Sequence, residues 1–327
     1  MKSVEFRRGR EGAWADLEDL VGVIETKGLA YLTPDEVSRL PLLYRSTLSS
    51  LSVARAVSLD QNLLAYLESL ACRAYVATYG AKRNPLEAAQ RFLLVTFPAT
   101  VRSMSRHLLL SALVLSLGVV TGLVLTTRDP SRFYAFVSDS YAEGRGPSSS
   151  TEELRQVLYK GQDAADLLTS FAMFLFTHNA GIGFLAFASG FAAGVPTILL
   201  LFGNGLVLGA FAALYMERGL GLEFWAWVLP HGVTELLAVA LCGAAGLLIG
   251  DALLFPGRFA RLQSLALSGR RAGTAVMGSV LLFLVAGLLE GVFRQSVHDV
   301  TARLAVAAVS VVAWTIYFST AGREGLP

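Results

Sequence analysis

The feature that most constrains this chain is a series of long apolar blocks after Arg106, several without a single charged side chain. About 20 apolar residues cross a hydrocarbon core of ~30 Å as a helix, since lipid tolerates only a backbone that satisfies its own hydrogen bonds. Six candidate spans follow: 107–127, 167–193, 197–216, 231–255, 274–293 and 303–320. "FWAWVL" reads as an interfacial or re-entrant approach to the fourth. An even number of spans places both termini on one side.

Charge divides the chain in two. Residues 1–104 hold 13 Lys/Arg and 11 Asp/Glu, whereas the whole 327-residue chain is only 16% charged and 54% hydrophobic. The N-terminal part reads as a helical domain in water. Trp14, Leu17, Val21 and Ile24 recur at helical spacing, as do Leu63, Leu64, Leu67, Leu70 and Ala74. Thr33, Pro34 and Glu36 form a cap, an N1 proline and an N3 acid, and Asn84, Pro85 and Glu87 repeat the pattern. Four soluble helices are expected. "RFLLVTFPATVRSMSRH" then breaks at Pro98 and carries Arg102 and Arg106, as an elbow at a membrane surface would. The expected division is a cytoplasmic helical domain with its elbow over 1–104, and a transmembrane bundle over 105–327. The first thirty residues lack the apolar run of a cleavable signal, so the N-terminus is expected to stay in the cytosol.

Orientation follows from arginine. Residues 256–273 hold Arg258, Arg261, Arg270 and Arg271 and no acid, whereas 128–165 mixes five basic residues with acids. The positive-inside rule then puts both termini in the cytoplasm, in the inner membrane, with loop 128–165 outside. "GPSSSTEELRQVLYKG" in that loop reads as a turn and a short capped helix, serving either as a docking surface or as a solvated connector. A net charge of +2, with no aromatic ladder beside the arginines, argues against nucleic acid. Cys72 and Cys242 offer no disulfide framework.

Five spans carry G-x-x-x-G: Gly118/Gly122, Gly190/Gly194, Gly205/Gly209, Gly246/Gly250 and Gly287/Gly291. Small residues four apart let helix backbones approach closely, in a tight bundle or on dimer faces.

Polar residues inside lipid need partners or a cavity. The set is His178, Asn179, Asn204, His231, Glu235, Asp251 and Glu290, and in a helix His231 and Glu235 share a face. Three readings compete for it: structural ties between helices, a polar path for a proton, ion or solute, and a metal site built from His178, His231 and Glu235. H-x-x-x-E lacks the second histidine of the zinc-protease helix, and neither a serine elbow nor a phosphate loop occurs. No enzyme activity, cofactor or resident metal is expected.

The segment from "FTHNAGIGF" to "LVLGAF", then "LPHGVTELLAVALCGAAGL" and "VAGLLEGVFRQ", resembles the stage II sporulation protein M family over roughly residues 85–320. The matching positions are Asn179, Gly190, Gly194, Gly205, Gly209, Pro230, His231, Gly232, Glu235 and Glu290. The resemblance implies an all-α polytopic membrane protein that acts as a scaffold, as its namesake does in holding a cell-wall-degrading complex during engulfment. It also implies partners such as a MoxR-type AAA ATPase and RDD-type membrane proteins. The charged N-terminal domain looks like the longer, non-sporulation branch. The expected function is a scaffold that recruits envelope partners, lies among membrane lipid and self-associates, with a dimer favoured; the alternative is a channel or transporter through His231 and Glu235.

Overall fold

The computed structural model describes residues 6–56, 61–79, 85–159 and 179–323. Every regular element among them is helical. The chain divides into two compact units, Met1–Pro85 and Leu86–Pro327.

The first unit holds α1 (Glu11–Thr26), α2 (Pro34–Ala56) and α3 (Gln61–Tyr79). The apolar stripe Trp14, Leu17, Val21 and Ile24 buries against Leu40, Leu51 and Ala54 of α2 and Leu63, Leu67, Leu70 and Ala74 of α3. Each large side chain so buried contributes about 1.5–3 kcal/mol of transfer free energy. The expected cap starts α2: the Thr33 amide donates to Glu36 Oε2 at 2.8 Å, and the Glu36 amide donates to Thr33 Oγ1 at 3.4 Å. Arg73 bridges back to α1 through Glu25 and Glu18, and Tyr66 donates its hydroxyl to Glu18. Burial, then the Glu18 carboxylate, pushes the Tyr66 phenol up to about 12. The fourth expected helix, at Pro85, belongs to the second unit, because the apolar residues that follow it pack into the bundle.

That second unit opens with α4 (Pro85–Arg91), a π-helical stretch (Phe92–Thr96) and α5 (Phe97–Ser103). Pro98 does not break the chain there. It sits in the first turn of α5, where no backbone N–H is required, and the break falls at Met104. Phe97 lies on Gly278, whose missing side chain leaves room for the ring. Arg102 donates to the carbonyls of Phe318 and Ala321 at 3.0 and 2.7 Å. The elbow is therefore docked on the bundle.

The bundle comprises α6 (Ser105–Arg128), α10 (Asn179–Ala188) with a 3-10 turn to Phe191, α11 (Val195–Glu217), α12 (Gly221–Leu254), α13 (Arg261–Leu288) with a π turn (Leu289–Phe293), and α14 (Val300–Thr320); α7, α8 and α9 precede α10 and are described below. Five of its helices are long and apolar enough to cross a membrane: α6, α11, α12, α13 with its π turn, and α14; Asn179–Phe191 is a shorter apolar helix. Of the expected second span, residues 167–178 lie outside the described residues. α12 is the most enclosed of the long helices and α14 the least. "FWAWVL" is not re-entrant: α12 runs unbroken from Gly221 through Pro230 for 34 residues. At ~1.5 Å per residue that is about 51 Å, well beyond the hydrocarbon thickness.

Two glycine seams close the bundle. Gly118 and Gly122 of α6 meet Gly205 and Gly209 of α11 so closely that a Cβ at Gly118 would overlap the Phe202 carbonyl, and one at Gly209 the Val119 carbonyl. Gly190 and Gly194 meet Gly246 and Gly250 of α12 in the same way. Gly194 also turns the chain into α11 at φ 75°, a left-handed value that favours glycine. These four motifs are occupied within the chain, joining its own helices. Gly287 and Gly291 are buried at the end of α13.

Between α6 and α10 the chain builds α7 (Phe133–Phe136), α8 (Asp139–Ala142) and α9 (Thr151–Tyr159). Phe133, Val137, Leu154 and Leu158 bury against Phe211, Leu214 and Tyr215 of α11 and against Leu220, Phe224 and Val228. Ser150 and Glu153 form the expected capping box of α9. Residues 129–159 thus form a packed cap against α11 and the start of α12.

Candidate polar site at the capped end of the bundle

His231 and Glu235 lie 10 and 14 residues into α12, past the end that the cap covers. Both are buried, at 6% and 7% exposure. Their shared face follows from the helical period.

The nearest partner comes from α10. Asn179, its first residue, donates from Nδ2 to Glu235 Oε1 at 2.5 Å. Glu290 stands in the π turn that ends α13 and accepts from Arg294 Nη1 at 2.9 Å. The Arg294 guanidinium lies 4.5 Å over the ring of Trp227, and that ring meets His231 edge to face at 6.1 Å. Glu290 and Arg294 stand close enough to act electrostatically on both α12 residues. Two turns of α12 thus carry an indole, an imidazole and a carboxylate towards the Asn179 amide of α10 and the Glu290–Arg294 pair that follows α13.

Arg303 closes the rim. It is 2% exposed and donates from Nε to the Val297 carbonyl at 2.7 Å and from Nη2 to the Arg294 carbonyl at 2.9 Å. Those carbonyls belong to the turn between α13 and α14, so Arg303 fixes the segment from which Arg294 projects. Beyond it, the Arg303 guanidinium sits 5.8 Å from the Tyr159 ring of the cap. Trp314 on α14 donates to Thr234 Oγ1 at 2.9 Å, a further tie to α12.

The bonding is uneven. Glu235 is bonded by an amide, while Arg294 is bonded to Glu290. Among the described residues, His231 Nδ1 is buried with no hydrogen-bond partner. An orphaned buried nitrogen costs about 1–3 kcal/mol, so it marks a point where the network has spare capacity.

The other polar candidates lie elsewhere. Asn204 is half-buried on α11, and among the described residues no hydrogen bond joins it to this cluster. Asp251 lies near the opposite end of α12, 3.4 Å from His107 Nε2 of α6. His178 lies outside the described residues, so the His178, His231 and Glu235 triad is not placed. Among the described residues no three His, Cys, Asp or Glu come together as metal ligands.

Sequence reasoning missed Arg294, Arg303 and Trp227. A signal existed for the first: Glu290 and Arg294 are four apart, one turn on the same helical face. Arg303 read as a span boundary and Trp227 as part of an interfacial approach.

A family model described as Stage II sporulation protein M matches residues 111–293, which include Asn179, His231, Glu235 and Glu290 and stop one residue short of Arg294. A second, described as Domain of unknown function (DUF8413), matches residues 4–80, the helical first unit. No curated protein and no solved structure matches the chain. With its helical bundle and more than half its length under the first of these models, the chain belongs to the stage II sporulation protein M family.

Proposed function

We propose that the chain is a multi-pass scaffold of the cytoplasmic membrane that recruits or organises protein partners at the envelope. The observation that supports this reading best is that the polar side chains inside the bundle are largely spent within the fold: Asn179 bonds Glu235 from one helix to another, Arg294 bonds Glu290 one turn back, and Arg303 holds two carbonyls of the turn between α13 and α14. Such bonds, with the glycine seams, favour a bundle that holds one shape. The two surfaces offered to partners are the helical first unit and the packed cap over 129–159. Arg102, Arg106, Arg258, Arg261, Arg270 and Arg271 all stand near the end of the bundle away from the cap. The positive-inside rule turns that end, and with it both termini, to the cytosol. Partners of the kind the family resemblance implies, a MoxR-type AAA ATPase among them, and a second copy of the chain, are identified by cross-linking the full-length protein in its own membrane.

A second reading, a channel or transporter, is favoured by one observation: among the described residues, His231 Nδ1 has no hydrogen-bond partner. Proteoliposomes of wild type and Glu235→Gln separate the two readings. The scaffold predicts no proton or ion flux from either protein and a less stable mutant. A pH-dependent flux that Glu235→Gln abolishes in a folded protein would replace the scaffold with a conducting path.

A further inference from the structure

Most arginines of the second unit have a fixed partner in the fold. Arg132, Arg145, Arg155 and Arg294 pair with carboxylates, and Arg102, Arg218, Arg271 and Arg303 donate to carbonyls. Arg258, Arg261 and Arg270 are exposed and among the described residues none forms an ion pair; Arg91, Arg106, Arg128 and Arg323 share this, but these three stand together within one 13-residue stretch. No acidic residue occurs between Asp251 and Glu290. Arg270 follows the bundle wall, because its neighbour Arg271 donates to the Ser103 carbonyl at 2.8 Å just before α6 begins.

The same stretch exposes large apolar side chains. Phe255 is 74% and Leu262 79% exposed, and Phe259, 39% exposed, lies beneath the Arg258 guanidinium at 5.6 Å. Ala272 and Ala275 of α13 pack at the level of Ala245 and Ile249 of α12, so Arg270 stands about where the apolar run of α12 ends. Unpaired guanidiniums from that level outwards, with exposed Phe and Leu beside Arg258 and Arg261, match the headgroup layer of a membrane, where phosphates and apolar atoms mix. Guanidinium forks bind phosphate oxygens in pairs, and each basic side chain near an anionic leaflet adds about 1 kcal/mol of attraction.

We infer that Arg258, Arg261 and Arg270, with Phe255, Phe259 and Leu262, form a binding surface for anionic phospholipid headgroups. The arginines take the phosphates while Phe255, Phe259 and Leu262 lie among the headgroups beside Arg258 and Arg261. The surface does not depend on the scaffold reading, since a channel would use it equally.

The test uses the full chain in nanodiscs of phosphatidylcholine with and without phosphatidylglycerol, reading the lipid retained around the protein and the unfolding temperature. Wild type should enrich phosphatidylglycerol and unfold at higher temperature with it, and both effects should shrink as salt rises. The preference should fall about fivefold for each arginine changed to Gln. Arg128→Gln with Arg132→Gln, beside the cap, should leave the preference intact. Free inorganic phosphate should give no such stabilisation, which separates a lipid surface from a phosphate pocket. No enrichment in wild type, an enrichment indifferent to salt, or one that survives the triple Arg→Gln change in a folded protein would each overturn the inference.

Discussion

The two ends of α12 are held by opposite physics. Towards Leu254, Gly246 and Gly250 press backbone against the backbone at Gly190 and Gly194, and the contact is dispersion over a smooth seam. Towards Gly221 the same helix carries His231 and Glu235 into a network of an amide, two arginines, a carboxylate and an indole. A glycine seam has one arrangement and fails when an atom is added. A polar network has donors and acceptors that exchange partners, and here one nitrogen has no partner among the described residues. The rigid end is the place to break the fold, and the polar end the place to perturb function.

The largest expected effect therefore comes from the seams. Gly209→Val places branched methyl groups against the Val119 carbonyl and the Leu123 backbone, neither of which can yield without separating α6 from α11. Overpacking of this kind costs about 3 kcal/mol or more, and little folded protein should elute as a sharp peak in detergent. Recovery of Gly209→Val with wild-type unfolding temperature would mean that the seam is not a close contact.

Next in size is Arg303→Gln. The shorter side chain cannot reach both the Val297 and Arg294 carbonyls, so the turn into α14 loosens and Arg294 loses its platform. A loss of about 2 kcal/mol is expected, seen as a lower unfolding temperature, together with faster hydrogen exchange over 294–300. If Arg303→Gln unfolds as wild type does, the rim is decoration and the cluster ends at Glu290.

Smaller still is Glu235→Ala, which leaves the Asn179 amide without its acceptor while opening modest space. Interhelical hydrogen bonds in bilayers are worth about 0.6–2 kcal/mol, and Glu235→Gln, which keeps an acceptor oxygen, should lose less than Glu235→Ala. Equal losses for the two would mean that the carboxylate itself, and neither side-chain volume nor a neutral acceptor, holds α10 to α12.

Much of this contrast was legible beforehand, and where it was not the reason is physical. Periodicity and length exposed α6, α11, α12, α13 and α14, because lipid permits few alternatives to a helix. The glycine spacing named the seams, though not their partners, since a small-residue motif specifies a groove and not what fills it. His231 and Glu235 could be put on one face by counting, and Asn179 and Glu290 by their cost in hydrocarbon. Asn204 met the same criterion yet lies apart, because intramembrane polarity alone carries no direction. Arg294 and Arg303 carried no signal of their own, because an arginine at a span end ordinarily snorkels into water. Both instead turn back to bond the fold. The packing of 129–159 was hidden for another reason: Phe133, Leu154 and Leu158 are separated by turns, and only α11 and α12 bring them together.

The smallest effect sharpens the comparison from the first unit. In the first unit the amide of Thr33 and its hydroxyl both donate to Glu36 Oε2, and these bonds hold the Glu36 carboxyl below the usual carboxylate range. A carboxyl whose pKa is depressed by folding stabilises above its unfolded value of 4.5, and that stabilisation is lost as pH falls through the lower folded value. Exchange of the amides that open α2 should therefore quicken as pH drops below about 4.5, once the intrinsic pH dependence of exchange is divided out. Thr33→Ala should loosen the same turn by about 1 kcal/mol at neutral pH and remove most of that dependence. A turn whose protection ignores both acid and Thr33→Ala would owe its order to the Leu40 packing behind it. In that case the first unit, like the glycine end of α12, would be fixed by shape rather than by hydrogen bonds.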